Sequence, residues 1–225
     1  MINLSNNNVN FTSRSSVIRQ ADQICRTVNN NFTSISPSKV LNKGLLRKDS
    51  NIIKFGEKLQ EKLNLSIRNL SQKFNSRKEP DFFKDFANAI KTKKIANCGE
   101  LARLASIVCA VIGIKSQVVN LIQLDEKEGY EKHIDHAVLA IRLGNKNIAC
   151  GTLSKLKDTL IIDPWLGFAD YAQNAQTIYK NIYHKQIGTS EKSLIGIDTI
   201  TGARDRIPTE YFEKLKQIFP ELIIK

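Results

Sequence analysis

Cysteine is scarce in this chain: Cys25, Cys98, Cys109 and Cys150 are the four in 225 residues. That is too few for the disulfide framework of a small secreted domain. No two stand as Cys-x-x-Cys, which argues against a structural zinc site. Long apolar runs are missing as well, and none approaches the roughly 18 residues that a membrane-spanning helix requires. The segment Met1 to Asn10 is polar and lacks the charged-then-apolar layout of a secretory signal. There is no internal repeat, and no basic stretch interleaved with aromatics of the kind that reads nucleic acid. These absences favour reduced thiols on a cytosolic fold, with no transmembrane segment, no cofactor, no metal and no nucleic-acid partner.

What is present suffices for one sizeable core, since 41% of the residues are hydrophobic. Charge is distributed unevenly. Residues 39–115 hold 17 Lys/Arg against 7 Asp/Glu, whereas residues 116–225 hold 14 of each. The N-terminal half therefore presents a cationic face, open to an acidic protein, an anionic membrane, nucleic acid or plain solvent, although no nucleic-acid motif sharpens that third reading.

Residues 1–38 are rich in Asn, Ser and Thr and read as a flexible polar segment, leaving residues 39–225 as a single domain. Its first part, 39–94, is basic and helical. Ile52, Phe55, Leu59, Leu63, Ile67, Leu70 and Phe74 recur at spacings of three and four, predicting an amphipathic helix over 51–74. Pro80 opens a second helix, in the first turn where its missing N–H costs little. A third, largely buried helix follows Asn97-Cys98-Gly99 and stops at Gly113; Cys109 lies inside it as a small hydrophobe. Strands are then expected at 116–124, 136–143, 159–163 and 194–200, and helices at 169–184 and 208–219. Helices first and a strand meander after them predict an α+β fold, with the buried helix packed on an antiparallel sheet.

Three residues in this order carry candidate chemistry. Cys98 opens the buried helix, where free backbone N–H groups and the positive dipole end favour a thiolate. The same N–H groups could receive an oxyanion. Asn97 and Gly99 flank the thiol as substrate or oxyanion candidates. His136 starts a strand after the acidic loop 125–135, and Asp163 ends the strand TLIID. Pairing of those two strands would set the carboxylate beside the imidazole and hold its tautomer, with Trp165 shielding the contact. His133 lies three residues before His136, but that spacing does not place both rings on one strand face and no third ligand completes a metal set. His184 is read as solvated.

Asn97-Cys98-Gly99-Glu100, Asp135-His136-Ala137-Val138 and Ile162-Asp163-Pro164-Trp165 resemble the triad segments of papain-like and transglutaminase-like cysteine enzymes. They look most like the bacterial members found among secreted effector proteins. The resemblance covers residues 95–168. It implies a papain/transglutaminase-like fold, with Cys98 as nucleophile, His136 as base and Asp163 as its orienter. It also implies acyl transfer on a protein substrate: deamidation or transamidation of glutamine in a host protein, after delivery by a specialised bacterial secretion system. A cysteine protease is the alternative within enzymes. A non-catalytic interaction module, its basic face holding an acidic partner, is the alternative from another class. Two departures stand out. The stretch from Gly144 to Asp158 exceeds a tight hairpin, and no upstream glutamine is an evident oxyanion donor. Gln72 is distant, and Asn88 and Asn97 are the candidates.

Overall fold

The computed structural model describes residues 14–74, 79–124, 131–145, 147–187, 194–198 and 206–223. The fold is α+β, as expected, with helices packed on a six-stranded antiparallel sheet.

The strands are β1 (Gln117–Leu124), β2 (Glu131–Arg142), β3 (Gly151–Thr152), β4 (Thr159–Asp163), β5 (Phe168–Tyr171) and β6 (Leu194–Asp198), in the order β3-β6-β1-β2-β4-β5. Side chains alternate between the two faces of a pleated sheet, and here both faces are covered. Val118, Leu139, Ile141, Leu160 and Ile162 join the larger core beneath the helices. Val119, Val138, Ala140 and Ile161 pack instead with Ala172, Ala175 and Tyr179 of a helix on the other side. That helix spans Ala172–Ile187, starting later than the 169 that the sequence suggests. Residues 168–171 pair with β4 instead, because Asp163↔Phe168 closes a hairpin around Pro164–Gly167.

The helices are α1 (Arg14–Asn31), α2 (Pro37–Arg47), α3 (Ser50–Leu63), α4 (Asn69–Lys73), α5 (Pro80–Lys93), α6 (Cys98–Val111), α7 (Ala172–Ile187) and α8 (Phe212–Ile218). Helix α6 is the central rod. Eleven of its fourteen residues are buried, and it touches α1, α8, β1, β2 and β4. Gly113 ends it at φ +81, a conformation that glycine adopts without strain.

Two larger departures from the sequence-based expectation concern the N-terminal helices. The composition of 1–38 predicts a flexible segment, yet residues 14–31 form an eighteen-residue helix. Val17, Ala21, Ile24, Cys25 and Val28 repeat at helical spacing and are at most 3% exposed, packed against α6, β4 and β5. So few apolar residues sit among Asn, Gln and Arg that the stripe is faint until the core gives it a partner. Residues 1–13 lie outside the described residues.

The helix over 51–74 is also not one regular amphipathic rod. It breaks at a five-residue π segment, Asn64–Arg68, between α3 and α4. Before the break, its inner face is chosen by α2. A Cβ on Gly56 would lie 2.8 Å from Leu41, and one on Gly44 would lie 2.9 Å from Ile53. This close glycine packing turns Phe55 outward, 51% exposed, while Leu63, Ile67 and Phe74 remain buried.

Truncating the two kinds of apolar residue should separate them. Ile24→Ala removes a buried side chain of α1 and should lower unfolding free energy by about 2–5 kcal/mol. Phe55→Ala should change it by less than about 0.5 kcal/mol. Urea denaturation of both proteins checks this; a silent Ile24→Ala would make α1 an appendage.

Candidate functional site

Cys98 is half-buried at the first position of α6. The helix start is tied down from below. Asn97 is extended, and its N–H donates to Glu100 Oε2 at 3.1 Å, while Ser71 Oγ donates to Glu100 Oε1 at 2.7 Å. Glu100 is 7% exposed, so a buried carboxylate holds the turn that carries the thiol. Gly99 has no left-handed backbone angle, so it does not make the turn. A Cβ there would meet only Arg103 Nη1, at 3.1 Å.

The Asn97 side chain is spoken for. Its Oδ1 accepts from Ser36 Oγ at 2.9 Å, Ser38 Oγ at 3.0 Å and Ser38 N at 3.2 Å, and its Nδ2 donates to Gln60 Oε1 at 3.2 Å. It thus anchors the segment before α2 and the face of α3 to the thiol's turn. Gln72 and Asn88 are exposed on α4 and α5.

His136 lies within β2 and not at its start, because the strand begins at Glu131. The pairing of β1 with β2 runs Asn120↔Ala137 and then Ile122↔His133, so a step of two along β1 matches a step of four along β2. The irregularity at 134–136 contains His136. Such bulges re-aim side chains next to functional sites. His136 Nε2 and Asp163 Oδ2 are 2.6 Å apart, with the side chains 2% and 0% exposed. The Cys98 thiol is the ring's other polar neighbour, close enough to favour its protonated form.

Asp163 gathers further donors. Tyr179 OH donates to Oδ2 at 2.9 Å, and Leu166 N donates to Oδ1 at 3.0 Å. Burial alone would lower the His136 pKa. The hydrogen bonds to Asp163 and then Cys98, together with the charges of both, outweigh it and raise the pKa to about 9. The ring therefore carries its proton at neutral pH.

Aromatic rings close over this pair. Trp165 lies 5.1 Å from the His136 ring, Tyr179 6.0 Å and Tyr183 6.2 Å, centroid to centroid. Trp165 is itself pinned, with Nε1 donating to Ser36 Oγ at 2.8 Å and Lys39 Nζ 4.5 Å above the ring. Lys39 also donates to the Trp165 carbonyl. Ser36 thus gives its proton to Asn97 and accepts from Trp165, joining the thiol's turn to the histidine's cover. A pocket of 170 Å³ opens beside this bridge, bounded by Ser36, Lys39, Leu101, Pro164 and Trp165 among others.

The structure brings Cys98, His136, Asp163, Asn97, Gly99 and Trp165 to one place. Sequence reasoning passes over Ser36, Lys39, Gln60, Tyr179 and Tyr183. A signal exists for two of these groups. Ser36-Pro37 is a helix-start pair, and Ala172, Ala175, Tyr179 and Tyr183 form a helical stripe.

No cysteine is in a disulfide. Burial pushes the Cys109 thiol up to about 12, in keeping with its expected place in the core. Burial and then the Asp163 charge push Cys25 up to about 12 as well. Among the described residues no group of His, Cys, Asp and Glu is arranged to hold a metal ion. The side chains of His133 and His184 lie outside the described residues.

The His136 pKa sets a pH dependence of stability. The folded value, about 9, exceeds the ordinary 6.5, so the stabilisation is complete below about 6.5 and is lost as pH rises through 9. The loss should be on the order of 3 kcal/mol. Urea unfolding of the wild type and His136→Gln across that window checks it. The gap between the two proteins should narrow with rising pH, and a gap independent of pH would contradict the raised pKa.

No protein-family model, curated protein or solved structure matches this chain.

Proposed function

We propose that this protein is a thiol acyltransferase or hydrolase acting on protein amides, with glutamine side chains as the favoured substrate. The observation that carries the reading is the chain of contacts Asp163–His136–Cys98. One imidazole nitrogen is bound to a fully buried carboxylate, and the sulfur at the start of α6 lies beside the same ring, near enough to favour its protonated form.

The proposed reaction follows from those positions. In the proposed reaction the imidazole beside the sulfur holds the proton of the Cys98 thiol. The thiolate attacks the amide carbonyl, and the N–H groups that open α6 receive the oxyanion. Imidazolium gives its proton to the departing nitrogen, leaving ammonia and a thioester on Cys98. Neutral His136 then takes a proton from water, giving glutamate, or from an amine, giving a new amide. Asp163 keeps its charge throughout and holds the ring. The N–H groups at Cys98 and Gly99 take the oxyanion role, since the Asn97 amide already serves Gln60 and the serines.

The carboxamide reading draws support from the surroundings of the thiol. Cys98 is half-buried, and the Ser36–Lys39 segment is fastened both to Asn97 and to Trp165. A site hemmed in this way favours a slender side chain over a main chain passing through.

Two measurements test the reading. With iodoacetamide at neutral pH, Cys98 should be alkylated at least about tenfold faster than Cys25 and Cys109, and His136→Ala should remove that advantage. Equal reactivity of the three would leave an inert thiol and remove the claim. With casein and a fluorescent primary amine as probes, mass spectrometry should show a gain of about one mass unit at glutamine, or the amine adduct. Shortened casein would mean proteolysis instead.

Asp163→Asn can donate to the ring and favour the wrong tautomer. The same exchange in a serine triad costs about 10⁴ in turnover. Here the proton already resides on the ring, so single-turnover rates should fall less, by roughly 10- to 1,000-fold. A wild-type rate would reduce the site to a Cys98–His136 pair.

A further inference from the structure

Large exposed hydrophobics concentrate on one feature. Leu45 is 62% exposed, Leu46 84%, Phe55 51% and Leu65 76%, all within α2, α3 and the π segment that follows. Helices α2 and α3 form an antiparallel hairpin, knit together by Gly44 against Ile53 and Gly56 against Leu41. Helix α2 packs on α3 and on no other element to a comparable extent. Arg47 ends α2, Lys48 and Asp49 make the turn, and Leu45 and Leu46 stand beside it.

Cations surround those leucines. Lys43, Arg47, Lys48 and Lys54 lie within two helical turns of the hairpin's end and are all exposed. None of them is in an ion pair among the described residues. The nearby carboxylate, Asp49, is occupied in capping α3, accepting from Asn51 N at 2.9 Å and Ile52 N at 3.2 Å.

We propose that the end of this hairpin docks on an anionic phospholipid surface. Leu45 and Leu46 enter the interfacial layer while Lys43, Arg47 and Lys48 meet the lipid phosphates and carboxylates. Neighbouring leucines at the end of a projection suit a fluid apolar layer lying beneath negative charge. An acidic protein would satisfy the cations but would need a matching apolar pocket for a convex tip. The base of the hairpin touches the candidate site through Ser36 and Gln60, both bonded to Asn97. With the eleven residues of α2 between, docking holds that site roughly 16 Å from the lipid, within reach of a membrane-attached substrate.

The test is co-sedimentation of the full chain with phosphatidylcholine vesicles, with and without phosphatidylserine. It reads binding and not turnover, so it is decided independently of the thiol chemistry. The wild type should pellet with the phosphatidylserine vesicles and stay in solution with phosphatidylcholine alone. Leu45→Ser with Leu46→Ser should weaken partitioning at least about tenfold. Lys43→Glu with Arg47→Glu should do the same, whereas Lys91→Glu with Lys93→Glu on α5, an equal change of charge, should not. Circular dichroism should show every variant folded, since each change is at an exposed position.

Three results overturn the proposal. Net positive charge alone draws a protein to anionic vesicles, so leucine variants that bind as well as wild type would reduce docking to bulk attraction. Equal loss from the α5 pair would do likewise. A chain that ignores the vesicles but binds poly-glutamate through Lys43 and Arg47 would make the hairpin a protein-docking surface.

Discussion

A carboxylate with no exposure to water is costly unless donors surround it. Asp163 meets that requirement with His136, Tyr179 and the Leu166 amide. Each donor comes from a different part of the fold. The imidazole is delivered by the irregular stretch of β2, the phenol by α7 across the sheet, and the amide by the tight turn after β4. The architecture near the site is the arrangement that lets one buried negative charge exist. The raised pKa of His136 follows from it, because the protonated ring is the strongest partner the carboxylate has.

The second constraint is the joining of the two ends of the site. The thiol belongs to a helix and the histidine to the sheet, so their spacing depends on how the helix layer sits on the strands. Ser36 and Lys39 lie at the start of α2, a long way in sequence from either. Ser36 bonds Asn97 and Trp165, Lys39 bonds the Trp165 carbonyl, and a short parallel bridge pairs Ile35 with Ile95 just before the thiol's turn. This polar strap fastens the helix start to the turn that covers His136. It holds position in a region where apolar packing would have to exclude the very groups the proposed chemistry needs.

The helical hairpin above the strap follows other physics. Its two glycines bring α2 and α3 so close that the hairpin is self-supporting, leaving its outer surface without core duties. That surface carries exposed leucines and exposed cations. Much of the positive charge of residues 39–115 is thereby gathered on a projection whose base meets the candidate site. The proposed lipid docking and the proposed amide chemistry would then be two uses of one rigid element.

Local features were legible in the sequence wherever one signal sufficed. Pro80 and Asn97 announced helix starts, the dense apolar run after Cys98 announced burial, and TLIID announced an interior strand. The order helix, then strands, determined the α+β class, and the thiol and carboxylate were identifiable as residue types at element ends, the imidazole as one on a strand. The tertiary structure alone decided the rest. Whether Val17, Ala21, Ile24 and Val28 made a helix depended on a core to receive so narrow a stripe. Whether Phe55 turned inward depended on which face of α3 met α2, where Gly56 sits against Leu41 and Gly44 against Ile53. That His136 sits inside its strand, and that Tyr179 reaches the carboxylate from the far side of the sheet, depended on register and layer packing. Those are contacts between residues distant in sequence, and periodicity along a chain carries no information about them.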